Sequence, residues 1–144
     1  MSNEANKKVV ETMWNALSAK DWETLKGCLA EDVHYEDVPA EDPGAHGPEN
    51  TVKRLAIAFD NLVGHTHTIH HIVADGDVVM LDHTEGWTFR TGEKAEHSFA
   101  TLHEMRDGKI VKWSDYWDVA GFVGQFPKWF LEEMAAHSPS DFSD

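Results

Sequence analysis

The sequence holds one cysteine, Cys28, in 144 residues. A lone thiol closes no internal disulfide, so a reducing, cytoplasmic setting is the expectation. Positive charge is scarce too: 12 Lys and Arg face 26 Asp and Glu, for a formal net charge of -14. Such a surface repels phosphate backbones and anionic bilayers, so neither nucleic acid nor membrane is an expected partner. No apolar run approaches the ~20 residues that span a bilayer. The opening MSNEANKK has no apolar stretch of the kind a signal peptide carries. A Gly-rich phosphate loop, a G-x-S-x-G elbow and a Cys–His nucleophile signature are all missing. These absences favour water-based or proton-transfer chemistry, with no cofactor and no metal expected.

Aromatic residues are plentiful, with 6 Trp and 7 Phe. That many large rings in a chain of one-domain length suggest an aromatic-lined interior or pocket. Residues 1–144 read as a single domain with a polar tail from about residue 138. Val10, Met13, Trp14 and Leu17 follow i, i+3, i+4, i+7 spacing, which predicts an amphipathic helix. Asp21 caps a second short helix with Trp22, Leu25 and Leu29, where Cys28 reads as inert packing. A strand is expected over 32–38, then a loop rich in Pro, Gly and acids. Pro48 opens a third helix with a stripe of Val52, Leu55, Ala56, Phe59 and Leu62, ended by Gly64. Strands are expected near 65–74, 77–89, 95–106 and 109–118, with hairpin signals at Asp75-Gly76 and Asp107-Gly108. Three helices followed by a long meander define an α+β class: helices packed in a strongly curved, mostly antiparallel sheet. The segment after Asp118 reads as helical pieces broken near Pro127.

Chemistry is suggested by polar residues on apolar faces. Val79, Leu81, His83, Glu85 and Trp87 share one side of their strand, and Val111, Trp113, Asp115 and Trp117 share one side of the last. His83, Glu85 and Asp115 are therefore expected to point inward. Tyr35 and Asp37 alternate with Val33 and can join the same cavity. Buried charge is costly unless it is paired or neutralised, and such crowding displaces pKa values.

The run YEDVP, the Pro/Gly loop, HHIVADGDVV, DGKIVKWSDYWD and FVGQF resembles limonene-1,2-epoxide hydrolases and their SnoaL-like relatives in the NTF2-like superfamily. It extends from about Lys8 to Gln125. The resemblance implies a cone-shaped fold, a homodimer and an apolar small-molecule substrate. It also implies roles: Asp115 as the base that takes a proton from water, with Tyr35 and Asp37 beside that water. With a single gap in the following turn, His83 and Glu85 stand where the family has Arg-x-Asp; without it Asp82 and Thr84 do, and the gapped register is preferred because it places the acids on the apolar face. His83, with its charged form favoured, would bridge the acids, and Glu85 would protonate the opening epoxide oxygen. Trp87, Trp113, Trp117, Phe59 and Phe99 are the expected substrate-binding wall. This sequence departs from the family at three positions, with His for Arg, Glu for Asp and Asp37 for Asn.

Three other readings stand beside the hydrolase. A SnoaL-like cyclase, isomerase or dehydratase would use Asp115 or Asp37 as acid/base. A non-catalytic binding protein would use the same pocket without chemistry. A metal site is suggested only by His65, His67 and His71, which alternate along one predicted strand, while His70, His97 and His103 read as surface or wall residues.

Overall fold

A computed structural model describes residues 2–138 and 141–143. Helix α1 (Asn3–Ala19) starts where the Ser2 side chain accepts the Ala5 amide, and stops at Lys20, which turns into the left-handed region. Its buried stripe contains Val10, Met13, Trp14 and Leu17. Helix α2 (Trp22–Gly27) is capped by Asp21 and ends one turn earlier than its apolar pattern suggests. Cys28 becomes its C-cap, and Leu29 already belongs to strand β1 (Leu29–Asp37). The thiol is buried, which raises its pKa and keeps it inert. A short strand β2 (Ala45–His46) precedes α3 (Pro48–Phe59), which has Pro in its first turn.

Four long strands follow: β3 (Leu62–Asp75), β4 (Val78–Phe89), β5 (Lys94–Arg106) and β6 (Lys109–Tyr116). The first begins earlier than expected, so Leu62 and Gly64 are strand residues rather than the end of α3. Two tight turns set the meander's register. Gly76 alone has positive φ in the β3–β4 turn, a type II′ pattern, while Asp107 and Gly108 both do in the β5–β6 turn, a type I′ pattern. The six strands form one sheet in the order β2-β1-β6-β5-β4-β3. Only β1 and β6 run parallel; the other neighbours are antiparallel.

Register shifts interrupt the β3–β4, β5–β6 and β1–β6 ladders. Such bulges bend a strand and raise its twist, so they curve the sheet around the helices. Buried side chains from α1, α3 and the concave sheet face merge into one core with those of the C-terminal helices α4 (Val119–Val123) and α5 (Lys128–Ala135). These two short helices bring Phe122, Phe126 and Phe130 against Trp87 and Phe89 at one end of the cone. The tail beyond residue 138 was expected to be polar. Pro139, Ser140 and Asp144 lie outside the described residues, but Phe142 is buried, and its carbonyl accepts the His46 amide at 2.9 Å.

Candidate active site

The curved sheet, α1, α3 and the C-terminal helices enclose a cavity of about 410 Å3. That is the volume of a small-molecule site. Phe59, Trp87, Phe99, Trp113 and Trp117, the residues expected to bind substrate, all stand in its wall. Two groups of acids face into it.

The first group is assembled by the β1–β6–β5 registry. Tyr35 pairs with Trp113, Asp37 with Asp115, and Asp115 with Thr101. Alternation along each strand then aims Tyr35, Asp37, Asp115 and Thr101 to the same side. Asp115 is only 6% exposed. Its Oδ1 accepts hydrogen bonds from Thr101 Oγ1 at 2.7 Å and from Trp113 Nε1 at 2.9 Å. Its Oδ2 lies 3.4 Å from the Tyr35 hydroxyl, which is also 3.3 Å from Asp37 Oδ1. One phenolic proton cannot serve both carboxylates at once. Asp37 further accepts from Trp117 Nε1 at 3.1 Å and pairs with Arg54 at 3.1 Å. The same guanidinium holds both oxygens of Asp42, at 3.0 and 3.1 Å.

Burial raises the pKa of both acids. For Asp115 the charge on Asp37 adds to burial, and the bonds from Thr101 and Trp113 only partly oppose it, so its carboxyl lies well above the ordinary range. Asp37 rises less, because Arg54 and the Trp117 and Tyr35 donors counter the burial. Burial and the two acids push the Tyr35 phenol well up as well, so it remains a neutral donor. Of the two acids, Asp115 therefore holds a proton the more tightly, and Asp37 carries charge the more readily.

Glu85 forms the second group. His65 donates to its Oε2 at 2.8 Å and His97 to its Oε1 at 2.9 Å. Burial alone would raise this carboxyl, yet the two histidines hold it at about 2. It is a firmly ionised anion, ill suited to handing over a proton at neutral pH.

His83 is fully buried but does not bridge Glu85 and Asp115, as its resemblance to the family's arginine had implied. It packs against Phe99 at 3.9 Å between ring centroids, with Nε2 on Thr101 at 2.8 Å and Nδ1 on His67 at 2.7 Å. Burial and the neighbouring His67 lower its pKa to about 3, so the ring is neutral. The charged form expected from the sequence is the disfavoured one here, because desolvation outweighs attraction to Glu85.

Arg54 and Thr101 were not anticipated as site residues; His65 was expected only as a metal ligand, and His97 as a surface or wall residue, which it is. For Thr101 and His97 the signal was present. From Ala95 to Met105 every second residue belongs to one face, which puts His97, Phe99, Thr101 and His103 inward together. His103 is fully buried, with Trp14 Nε1 donating to its Nε2 at 3.1 Å and its Nδ1 donating to the Val79 carbonyl at 3.0 Å. His71 leaves the face of His65 and His67, because the bulge between Ile69 and His71 flips the alternation; it pairs with Asp82 in solvent. Among the described residues, no group of three or more His, Cys, Asp or Glu is arranged to hold a metal ion.

Residues 10–113 match the SnoaL-like domain family. The chain belongs to that family. This SnoaL-like chain is 30% identical to epoxide hydrolase EphG of Mycobacterium tuberculosis (strain ATCC 25618 / H37Rv) over 111 residues, which span 76% of this chain and 71% of that protein. Its fold superposes on an M. tuberculosis LEH-like epoxide hydrolase with a TM-score of 0.74 at 27% identity, covering 93% of this chain and 95% of that one. A putative polyketide cyclase from Xanthomonas campestris pv. campestris shares the fold at a TM-score of 0.73 and 19% identity, over 85% and 97% of the two chains. The helices and curved six-stranded sheet of this SnoaL-like domain are thus those of the NTF2-like proteins. No helix among the described residues is long and apolar enough to cross a membrane.

Proposed function

We propose that the protein is an epoxide hydrolase that adds water to an apolar epoxide by acid–base catalysis, without a covalent intermediate. The observation that carries this reading is the pair Asp37 and Asp115, meeting at one tyrosine hydroxyl on an aromatic cavity. Two acids whose surroundings separate their pKa values supply both halves of a push–pull reaction. Charged Asp37 takes a proton from water as the water oxygen attacks an epoxide carbon. The carbon–oxygen bond breaks, and the proton of Asp115 Oδ2 goes to the leaving oxygen, giving a vicinal diol. Oδ2 is the donor atom because Oδ1 is already occupied by two donors. Tyr35, in reach of both acids, stays a neutral donor, while Asp37 gives its proton back to solvent and Asp115 takes one up before the next turnover.

This assignment moves the proton donor from Glu85, where the resemblance put it, to Asp115. It also makes Asp37 a base instead of a residue that merely holds the water. A neutral substrate suits the cavity, since most of its wall is apolar and the chain's net charge of -14 repels anions. EphG similarity supports the substrate class. The test is turnover of a hydrophobic epoxide by the wild type and by Asp115→Asn and Asp37→Asn. Loss in both is expected. Full activity in Asp37→Asn would return the base to Asp115 and reject the pair.

The same acids can instead enolise a ketone, as in a SnoaL-like cyclase or isomerase. What favours it is that burial and the Asp37 charge raise the Asp115 carboxyl well above the ordinary range, which suits donation to a carbonyl oxygen. Enone absorbance changes with a cyclic ketone, in the absence of epoxide turnover, would decide for it.

A further inference from the structure

Three side chains outside the cavity wall, two of them fully buried, connect Asp115 to another part of the molecule. Thr101 and His83 are both 0% exposed, and neither they nor His67 line the cavity. His67, on β3, is half-buried and stacks on Trp14 at 4.9 Å between ring centroids. The links are short: His67 Nε2 to His83 Nδ1 at 2.7 Å, His83 Nε2 to Thr101 Oγ1 at 2.8 Å, and Thr101 Oγ1 to Asp115 Oδ1 at 2.7 Å.

We infer that His67, His83 and Thr101 form a proton relay that exchanges the proton of Asp115 with solvent from behind the substrate cavity. The inference rests on the acid–base role given to Asp115 above.

Hydrogen-bond chemistry sets the direction of every link. With the Asp115 proton on Oδ2, Oδ1 can only accept, so the Thr101 hydroxyl points at it. Its oxygen then accepts from His83 Nε2–H, which leaves His83 Nδ1 to accept from His67 Nε2–H. His67 Nδ1 makes no hydrogen bond among the described residues and is not a buried unpartnered atom. It is where solvent delivers a proton. When one arrives there and Asp115 Oδ2 gives up its proton to the cavity, each hydrogen moves one link inward: His67 to His83, His83 to Thr101, Thr101 to Asp115 Oδ1. One proton enters from solvent as one leaves Oδ2, and both rings end neutral, carrying their hydrogen on the other nitrogen. The reversed chain is then set to carry a proton outward. No imidazolium has to persist at any stage. Burial accordingly holds His67 at about 4 and His83 at about 3, so both rings rest in the neutral form the relay needs.

His103 provides the contrast within the same sheet. It is equally buried, but Trp14 and a main-chain carbonyl close off its two nitrogens, so it leads nowhere. The three relay residues act through Asp115 and do not touch substrate.

The decisive measurement is solvent exchange of histidine ring protons by NMR, on ligand-free protein with isotope-labelled histidine. His83 Nε2–H is expected to exchange at least about tenfold faster than His103 Nδ1–H, although both are enclosed. His67→Phe keeps an aromatic ring beside Trp14 and should abolish that difference. Equal rates in the wild type, or a difference that survives His67→Phe, would overturn the relay. In kinetics, His67→Ala should lower kcat with an epoxide about tenfold at unchanged KM, and added imidazole should restore it. A purely structural role predicts the same loss without restoration, and that result also rejects the relay. The two proposals separate cleanly. A wild type with fast His83 exchange and no epoxide turnover keeps the relay and removes the hydrolase. Turnover with matched exchange rates does the reverse.

Discussion

The cavity contains two acid clusters under the same burial, and they resolve it in opposite ways. Glu85 meets two histidines and becomes a fixed anion at about 2. Asp37 and Asp115 meet each other across one phenol, with a single guanidinium on one side, and their pKa values rise. The difference is the charge around each carboxylate: Glu85 is drawn down by a histidine on each oxygen, while the donors on Asp115 are neutral and its neighbour Asp37 is a like charge. A fully matched acid stabilises the fold, while an under-matched one keeps a proton it can give away. Placed side by side, the clusters separate an anchoring acid from reactive ones.

Substitutions can break that contrast. The largest effect is expected from Asp115→Asn: turnover of a good epoxide should fall by about 10²–10⁴-fold, the usual worth of a general acid. The amide can still accept from Thr101 and Trp113 and mimic the protonated acid, so the fold should be kept, and thermal melting should rise or hold. The folded-state pKa of Asp115 lies above its unfolded value. Its favourable contribution is thus complete below about pH 4 and is lost as pH climbs through the folded value. The advantage of Asp115→Asn over wild type should accordingly grow with pH, as denaturant titrations across pH would register.

Asp37→Asn comes next, with kcat reduced about a hundredfold. The measurement is steady-state kinetics on the same epoxide.

Glu85→Gln tests the anchoring side. A carboxyl held at about 2 in place of 4.5 adds about 3 kcal/mol at neutral pH. Its pKa is depressed on folding, so this stability is present above about pH 4.5 and fades as pH falls towards 2. Glu85→Gln should therefore lose about 3 kcal/mol in urea unfolding at neutral pH and nearly nothing at strongly acid pH. If that variant instead matched Asp115→Asn, losing activity with its stability intact, the distinction between the clusters would fail.

Arg54→Gln is expected to act more gently. Without the guanidinium the Asp37 carboxyl rises further, so the acid limb of the kcat/KM profile should move to higher pH. An unmoved limb would show that Asp37 does not set it. The smallest effect belongs to His71→Ala. Its pair with Asp82 is 78% and 57% exposed, so stability should change by less than about 0.5 kcal/mol.

Much of the scaffold was legible locally. The helical stripe around Trp14, Pro48 at the start of α3 and the Asp-Gly turns each arise from a few neighbouring residues. Period-two alternation was enough to bury His83, Glu85 and Asp115. What alternation cannot supply is distance across the sheet. His83 and Glu85 are two residues apart on one face, yet one reaches Thr101 and the other His97. The acidic loop before Pro48 offered a hint of Arg54, since Asp42 needs a cation to sit near Asp37, but nothing in the spacing named it. His71 was misplaced because a bulge leaves no mark in a pattern of alternating residue types.

By itself the sequence determined the α+β class, the inward faces of the long strands and the aromatic character of the interior. These follow from backbone periodicity and from turn residues, which act over a few positions. Only the tertiary structure decided which acids share a proton, which one is locked by histidines and where a neutral histidine chain runs. Those outcomes depend on partners up to 80 residues apart, as with Tyr35 and Asp115. Electrostatic and hydrogen-bond energies follow ångström distances and burial, and neither is defined until the strands have been brought side by side.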